Sequence, residues 1–265
     1  MENQSEKEGI VELPRVWTPE ATWNIQSPSG RAVFLFPAFG PGNYDDVVRQ
    51  VLASGQRLPT GEQTAHFLGE VYTSTDDKVK KSPRVDFVKK KVINDGWLWV
   101  HNLNIWTPQN IRNPGVYVVH DEKGQGLGNQ ITIEELEDML SGGNTERGVR
   151  RSENRQIAFA PLSTIKSGYH DKGTLQNDGA FIANYGVEGT EKLEIVSNSF
   201  KRKTFSWIVN NNSDGLVKSL SALLRGWYRV GRLYAGFDSG GDFRLGYVIS
   251  VSGSGFSAKG SAPKK

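Results

Sequence analysis

The spacing of glycine constrains this chain more than any other feature. Thirty of its 265 residues are Gly, and they separate apolar runs of only a few residues. Ala32-Val33-Phe34-Leu35-Phe36, bounded by Arg31 and Pro37, and Gly115-Val116-Tyr117-Val118-Val119 are two such runs. Short apolar runs punctuated by turn residues build strands joined by loops rather than a helical bundle. No run reaches the roughly 18 apolar residues of a membrane span, so none is predicted. Hydrophobic residues at 37% and aromatics at 10% supply enough material for a core, while a mean hydropathy of -0.48 leaves the surface polar.

Capping chemistry places the helices. Tyr44 to Ala53 brings Val47, Val48, Val51 and Leu52 to helical spacing, with Asp45 and Asp46 in the first turn, where the helix dipole favours acids, and Gly55 as a stop. After Arg57-Leu58-Pro59, Thr60 is a predicted N-cap with Gln63 as its capping-box partner; Ala65, Leu68, Val71 and Tyr72 form the apolar stripe of a second helix. Thr132 and Glu135 make another capping box, for a helix that buries Ile133, Leu136, Met139 and Leu140 and ends at Gly142-Gly143. Trp97 to Val100 and Ile105-Trp106 read as an aromatic strand pair near a turn. Strands are also expected at 157–160, 179–183 and 205–209, and a helix over 187–200. Residues 74–91 read as a loop with one amphipathic segment.

No Pro/Gly/Ser linker divides the chain internally, so a single elaborated domain is expected over 13–252, with 75–215 as a candidate insertion. Residues 1–12 are expected from their composition to be disordered, and 253–265 to form a flexible basic tail. The absence of cysteine excludes disulfides, thiolate metal sites and a cysteine nucleophile. A net charge of +3, part of it in the tail at Lys259, Lys264 and Lys265, is too mild to point to nucleic acid as the partner. The opening residues Met1 to Glu8 are acidic and polar, without the apolar stretch of a secretory signal, so a cytoplasmic location is expected.

Residues 225–250 are the most unusual stretch. They interleave Trp, Tyr and Arg with Gly, Ser and Asp around a hairpin-type turn at Ser239-Gly240-Gly241-Asp242. Tyr and Trp give large contact area with few torsions to freeze, Arg makes forked hydrogen bonds, and Gly and Ser let loops adapt, which is the composition of a binding surface. Leu233, Phe237, Phe243, Leu245 and Val248 supply a core-facing side to the same twisted hairpin.

The run from Asn43 to Gln63, with Gly55, Arg57-Leu58-Pro59-Thr60 and Glu62 in order, resembles the helix–RLPT–helix signature of the prokaryotic C-type-lectin-like superfamily. Arg225-Gly226 and Gly246-Tyr247-Val248-Ile249 stand where that superfamily has its Arg-Gly and its last strand. The resemblance implies an α+β domain of short twisted strands, with two N-terminal helices, a large middle insertion and a last strand that returns beside the first. Formylglycine-generating enzymes of this fold need cysteines, which are absent. Calcium-dependent lectins use clusters such as Glu-Pro-Asn and Trp-Asn-Asp, also absent, so no metal or other cofactor is expected. There remain the variable proteins diversified by retroelements, whose diversity lies on one C-terminal ligand-binding surface. Membership implies Trp227, Tyr228, Arg229, Arg232, Tyr234, Asp238, Asp242 and Arg244 as contacts, to a protein or other macromolecular ligand. A phage attachment or structural role on the same fold is the alternative.

Catalytic constellations are sparse. Of four histidines, His66, His101, His120 and His170, no pair has metal-ligand spacing. His120-Asp121-Glu122 follows a strong strand and is the one candidate acid/base or metal site, the basis of an alternative enzymatic function. Gly124 to Gly128 lacks the dinucleotide fingerprint and reads as a flexible loop. A binding protein rather than an enzyme is expected.

Overall fold

The computed structural model describes residues 21–94, 96–120, 131–208, 215–225, 233–237 and 246–252. It opens with an antiparallel hairpin of β1 (Ala21–Ser27) and β2 (Gly30–Phe36), followed by β3 (Phe39–Gly42). Helix α1 (Tyr44–Ala53) begins at Asn43, whose side chain accepts from the Asp46 N–H, and buries Val47 and Val51. Helix α2 (Gly61–Thr73) carries the Thr60–Gln63 capping box in full. Two short helices, α3 (Asp77–Lys80) and α4 (Pro83–Phe87), and a single π turn (Val88–Val92) occupy most of the stretch expected to be mainly loop.

One mixed sheet then organises the molecule. Its strands are β3 together with β4 (Trp97–Trp106), β5 (Gly115–Val119), β6 (Asn144–Glu146), β7 (Val149–Arg151), β8 (Ile157–Pro161), β9 (Gly168–His170), β10 (Thr204–Ile208), β11 (Val217–Arg225), β12 (Leu233–Phe237) and β13 (Gly246–Val248). The order is β6-β7-β8-β5-β4-β11-β12-β10-β9, with β13 pairing β4 and β3. Residues 97–208 thus supply strands to the same sheet as the C-terminal residues. Two further helices pack on it: α5 (Ile133–Leu140), with the Thr132–Glu135 capping box, and α6 (Gly179–Asn198).

The sheet alternates between two faces. On the inner face Leu98, Val100, Val116 and Val118 pack with Phe67 and Leu68 of α2 and Phe181 and Leu193 of α6. On the outer face α1 covers Trp99, Ala222 and Val248, and α5 covers Ile105, Tyr117 and Phe159. The Arg57-Leu58-Pro59-Thr60 linker closes the structure. Arg57 exchanges backbone hydrogen bonds with Val251 (3.0 and 2.9 Å), and its Nε donates to the Ser252 carbonyl (3.2 Å). Across the same segment, Leu35 N–H donates to Ser250 O and Ser252 N–H to Val33 O, each at 3.0 Å. Residues 250–252 are therefore held between β2 and the linker, as the returning last strand requires.

Three expectations change. Trp97 to Trp106 is one ten-residue strand, not two strands about a turn. It passes from Val100, opposite Ser221, to Leu103, opposite Leu220, so His101 and Asn102 form a two-residue bulge. Two extra residues keep the side-chain alternation in phase, which lets the strand continue. Gly179 to Ala183 is the first turn and more of α6, not a strand, because Asp178 caps it by accepting from Ala180 N–H (2.9 Å) and Phe181 N–H (3.2 Å). Met139 is about half exposed, at 49%; the buried stripe of α5 is Leu136 and Leu140 alone, one turn apart.

The bulge delivers Asn102 into a buried network of amides and hydroxyls. Asn102 Nδ2 donates to Asn184 O and Oδ1 (both 2.9 Å); Asn184 Nδ2 donates to Asn104 Oδ1 (2.9 Å) and Ala180 O (3.0 Å). Asn104 Nδ2 donates to Ser221 Oγ (2.8 Å), whose hydroxyl donates to Asn184 Oδ1 (2.6 Å). His120 Nδ1 lies 2.6 Å from Asn102 Oδ1, which fixes it as the protonated ring nitrogen. Asn102, Asn104, Asn184 and Ser221 have no exposed surface. Gly61 backs against this cluster, and a Cβ there would overlap the Asn184 carbonyl and the Asn102 amide nitrogen.

Replacing Asn184 by Leu strands donors on Asn102 and Ser221 and an acceptor on Asn104, each costing about 1–3 kcal/mol when buried. Asn184→Leu is therefore expected to lose roughly 3 kcal/mol or more, read as a lower urea midpoint at unchanged slope.

Stability is also expected to fall on mild acidification. Burial lowers His120 to about 3, helped by the Arg151 charge, and His170 to about 4. Between pH 6.5 and 4 the unfolded chain takes up protons that these folded imidazoles refuse, so their contribution is complete above 6.5 and declines below it. Asp178, which burial raises to about 6, acts in the opposite sense between 6 and 3.8. From pH 7 to 5 the net loss is roughly 2–3 kcal/mol. Denaturation of His120→Gln across this range is expected to show a shallower pH slope than wild type.

Candidate ligand-binding site on the C-terminal strands

The register of the last strands positions the C-terminal surface. β11 runs antiparallel to both β4 and β12, with Leu223 opposite Leu98 and Ala235, and Arg225 opposite Leu233. β13 runs parallel to β4, with Gly246 opposite Trp97. The entries to β12 and β13 therefore lie at the same end of the sheet, marked by Trp97 and Leu98. Gly246 is fitted against the Trp99 indole so closely that any Cβ would collide with the ring. The Trp99 ring is in turn met edge-on by Tyr44 of α1 at 5.5 Å. Tyr44 also stacks on His101 at 5.8 Å and hydrogen bonds its Nδ1.

Of the eight contact residues expected from the sequence, Tyr234 lies in β12, opposite Leu224 of β11 and Phe205 of β10. Trp227, Tyr228, Arg229 and Arg232 belong to the connection between β11 and β12. Asp238, Asp242 and Arg244 belong to the connection between β12 and β13. These seven, and the turn expected at 239–242, lie outside the described residues. What the structure fixes is their strand ends: one connection starts and finishes at the paired residues Arg225 and Leu233, and the other finishes at Gly246.

The sequence did not single out the aromatic residues that continue this face. Successive pairings place Leu224, Tyr234, Phe205 and Tyr169 in one row across β11, β12, β10 and β9. A second row joins Trp99, Ala222, Gly236 and Trp207. Tyr169 and Trp207 are 54% and 45% exposed. The Phe205-Ser206-Trp207 alternation carried a signal of two unlike faces, but not which one meets solvent.

The His120 candidate is corrected by its surroundings. The imidazole is 3% exposed and tied to Asn102, so it is part of the internal network rather than a surface acid/base. Asp121 and Glu122 lie outside the described residues. Among the described residues no group of three or more His, Asp or Glu side chains is arranged to hold a metal ion. Among the described residues no helix is long and apolar enough to cross a membrane.

A cleft of about 370 Å³ lies elsewhere, lined by Pro28, Glu62, Glu146, Arg147, Arg155, Val187 and Glu188. Its floor is a joint. The Glu62 carboxylate, whose side chain is 3% exposed, takes the Arg155 guanidinium at 2.8 Å and the Ser29 hydroxyl. Arg147 on the rim bonds Gln176 O (2.8 Å) and Glu191 (2.7 Å). The Glu62 carboxylate presses on Gly186, which has a φ of +72 at the kink of α6 and no room for a Cβ.

No protein-family model matches the sequence, and no curated protein does. Among solved structures, a chain from work on the accommodation of massive sequence variation in Nanoarchaeota by the C-type lectin fold superposes with a TM-score of 0.53 at 13% identity. The match covers 81% of this chain and 96% of that one. The fold is that of the C-type lectins. Within it, the linker that pairs with the returning last strand is the Arg57-Leu58-Pro59-Thr60 segment through which the sequence resembles the superfamily.

Removing the buried half of the cleft's ion pair leaves Arg155 without its carboxylate, a change that typically costs about 3–5 kcal/mol. Glu62→Ala is expected to lose stability on that order, and Gly186→Ala to be destabilised by collision with the same carboxylate. Chemical denaturation of both variants tests this.

Proposed function

We propose that this protein binds a protein or other macromolecule through a variable-type surface carried by its C-terminal strands, and that the surface is diversified by a retroelement. The observation that carries this is the register of the last strands. Tyr234 lies in β12, and the connections that precede β12 and β13 both enter the sheet at the end marked by Trp97, beside Trp99 and Tyr44. Variation in such connections leaves the ladder pairs beneath them intact, which is what a scaffold for variable recognition needs. The structurally similar chain comes from work on how the C-type lectin fold accommodates massive sequence variation in Nanoarchaeota, which supports the same use here. The composition of 227–244, rich in Gly, Arg, Tyr and Asp, fits a paratope-like contact region. Enzymatic use of His120 finds no support in a ring sealed inside an asparagine network.

The test is the DNA flanking the gene. A near-identical copy of the stretch encoding 219–250, differing chiefly at adenines, is expected beside a reverse-transcriptase gene, and the differing codons are expected to include those of the eight candidates. Absence of both copy and reverse transcriptase would sink the diversification. Once a ligand is in hand, the double change Arg232→Ala/Tyr234→Ala is expected to weaken binding by about 2–4 kcal/mol.

A further inference from the structure

The outer face of the sheet is covered by α5 over β4, β5 and β8, and by α1 over β4, β11 and β13. Toward β9 and β10 the same face carries Tyr169, Phe205 and Trp207, with Tyr169 and Trp207 about half exposed. Tyr169 meets Phe205 edge-to-face at 4.9 Å and 77°, and Phe205 meets Trp207 at 4.9 Å and 69°. Their mount is rigid. On the inner side of the same strands, Ser206 donates to Lys166 O (3.0 Å) and accepts from His170 Nε2 (2.7 Å), and Thr204 bonds Ser197 of α6. Rings held this way lose little freedom on contact with a partner.

The surroundings are cationic. Residues 166–172 and 201–207 hold Lys166, Lys172, Lys201, Arg202 and Lys203 against Asp171 alone. That is a net of four positive charges where the whole chain carries three. Lys203 pairs with Asp171, while Lys201 and Arg202 are exposed just before β10. A mild overall charge therefore conceals one concentrated edge.

We propose that the β9–β10 face is a docking site for an acidic protein surface, one that presents an aromatic or branched apolar side chain flanked by carboxylates. Exposed Trp and Tyr beside Arg is the composition of binding hot spots, and the cationic rim steers and selects an acidic partner. The ring geometry favours a protein over a single-stranded nucleic acid. Successive bases stack on ring faces, whereas rings near 70–80° to one another offer alternating edges and faces that accept a single inserted side chain. The site borders Tyr234, the neighbour of Phe205 in the β10–β12 register, and is tested independently of the other 227–244 contacts.

Selection of a displayed random-peptide library on the full-length chain tests the proposal. Enriched peptides are expected to be net acidic with one aromatic or branched apolar residue, and to weaken as salt rises. They are expected to bind about tenfold or more weakly to Trp207→Ser and to Tyr169→Ser. The charge reversal Lys201→Glu/Arg202→Glu, which leaves the rings in place, is expected to weaken them comparably, while Arg232→Ala/Arg244→Ala leaves them unchanged. All the altered side chains on β9 and β10 are exposed, and thermal melts confirm that each variant is folded; if a ring variant is not, the charge reversal carries the test. The proposal is overturned if no enriched peptide distinguishes wild type from these variants, if the enriched peptides are neutral or basic, or if binding is lost only in Arg232→Ala/Arg244→Ala. It is likewise overturned if a labelled oligothymidylate binds wild type more tightly than any enriched peptide and loses that binding in Trp207→Ser.

Discussion

The Asn102–Asn184 contact is the interaction on which the rest of the structure depends. It joins the middle of the central strand to the second turn of the longest described helix, just before its kink, and through Asn104, Ser221 and His120 it reaches β11 and β5 as well. Each amide is fully buried, so each must be paired with another member of the set. A satisfied polar network of this kind specifies one arrangement of strand and helix, where an apolar contact would tolerate several. The β4 bulge follows from it, because two extra residues are what bring Asn102 inward without reversing the faces of the strand. Gly61 follows too, since any side chain at the start of α2 would intrude on the same cluster.

From that joint outward the sheet divides its labour. Its inner face is closed by α2 and α6 into the main core. Its outer face is closed in two places by single short helices, and toward β9 and β10 it presents rings to solvent. The buried Glu62–Arg155 pair ties the hairpin after β7 to the start of α2 on the inner side. A framework pinned at several separate points keeps its strand ends fixed, and the C-terminal connections spring from those ends.

Legibility in the sequence tracked how local the deciding interaction is. Thr60 with Gln63 and Thr132 with Glu135 are three residues apart, and both helices start where those pairs place them. The Arg57-Leu58-Pro59-Thr60 linker was readable as a motif, although its partner, Val251, is nearly two hundred residues away. What was not readable depended on distant partners without a motif. Nothing near His101-Asn102 announces a bulge, because the reason for it is Asn184. Gly179 to Ala183 is buried on every side, so its apolar run has no period to separate helix from strand, and only the Asp178 cap decides. Phe205 and Trp207 were legible as one face of a strand. Their exposure was not, since it rests on Ser206 and His170 claiming the interior. Of the candidate contacts, Tyr234 alone lies among the described residues.

The capture of residues 250–252 between β2 and the Arg57 linker bears on how the molecule is made. Phe34 and Val251 are bridged across more than two hundred positions of chain, and β4 waits for both β11 and β13 before its two edges are filled. During synthesis the early hairpin and the first two helices are complete long before the segment that locks them together exists. Loop closure over such a span is slow compared with local structure formation. The nascent chain must therefore carry an unsealed β4 edge until β11 and β13 have been made, and the sheet closes only once that late segment exists.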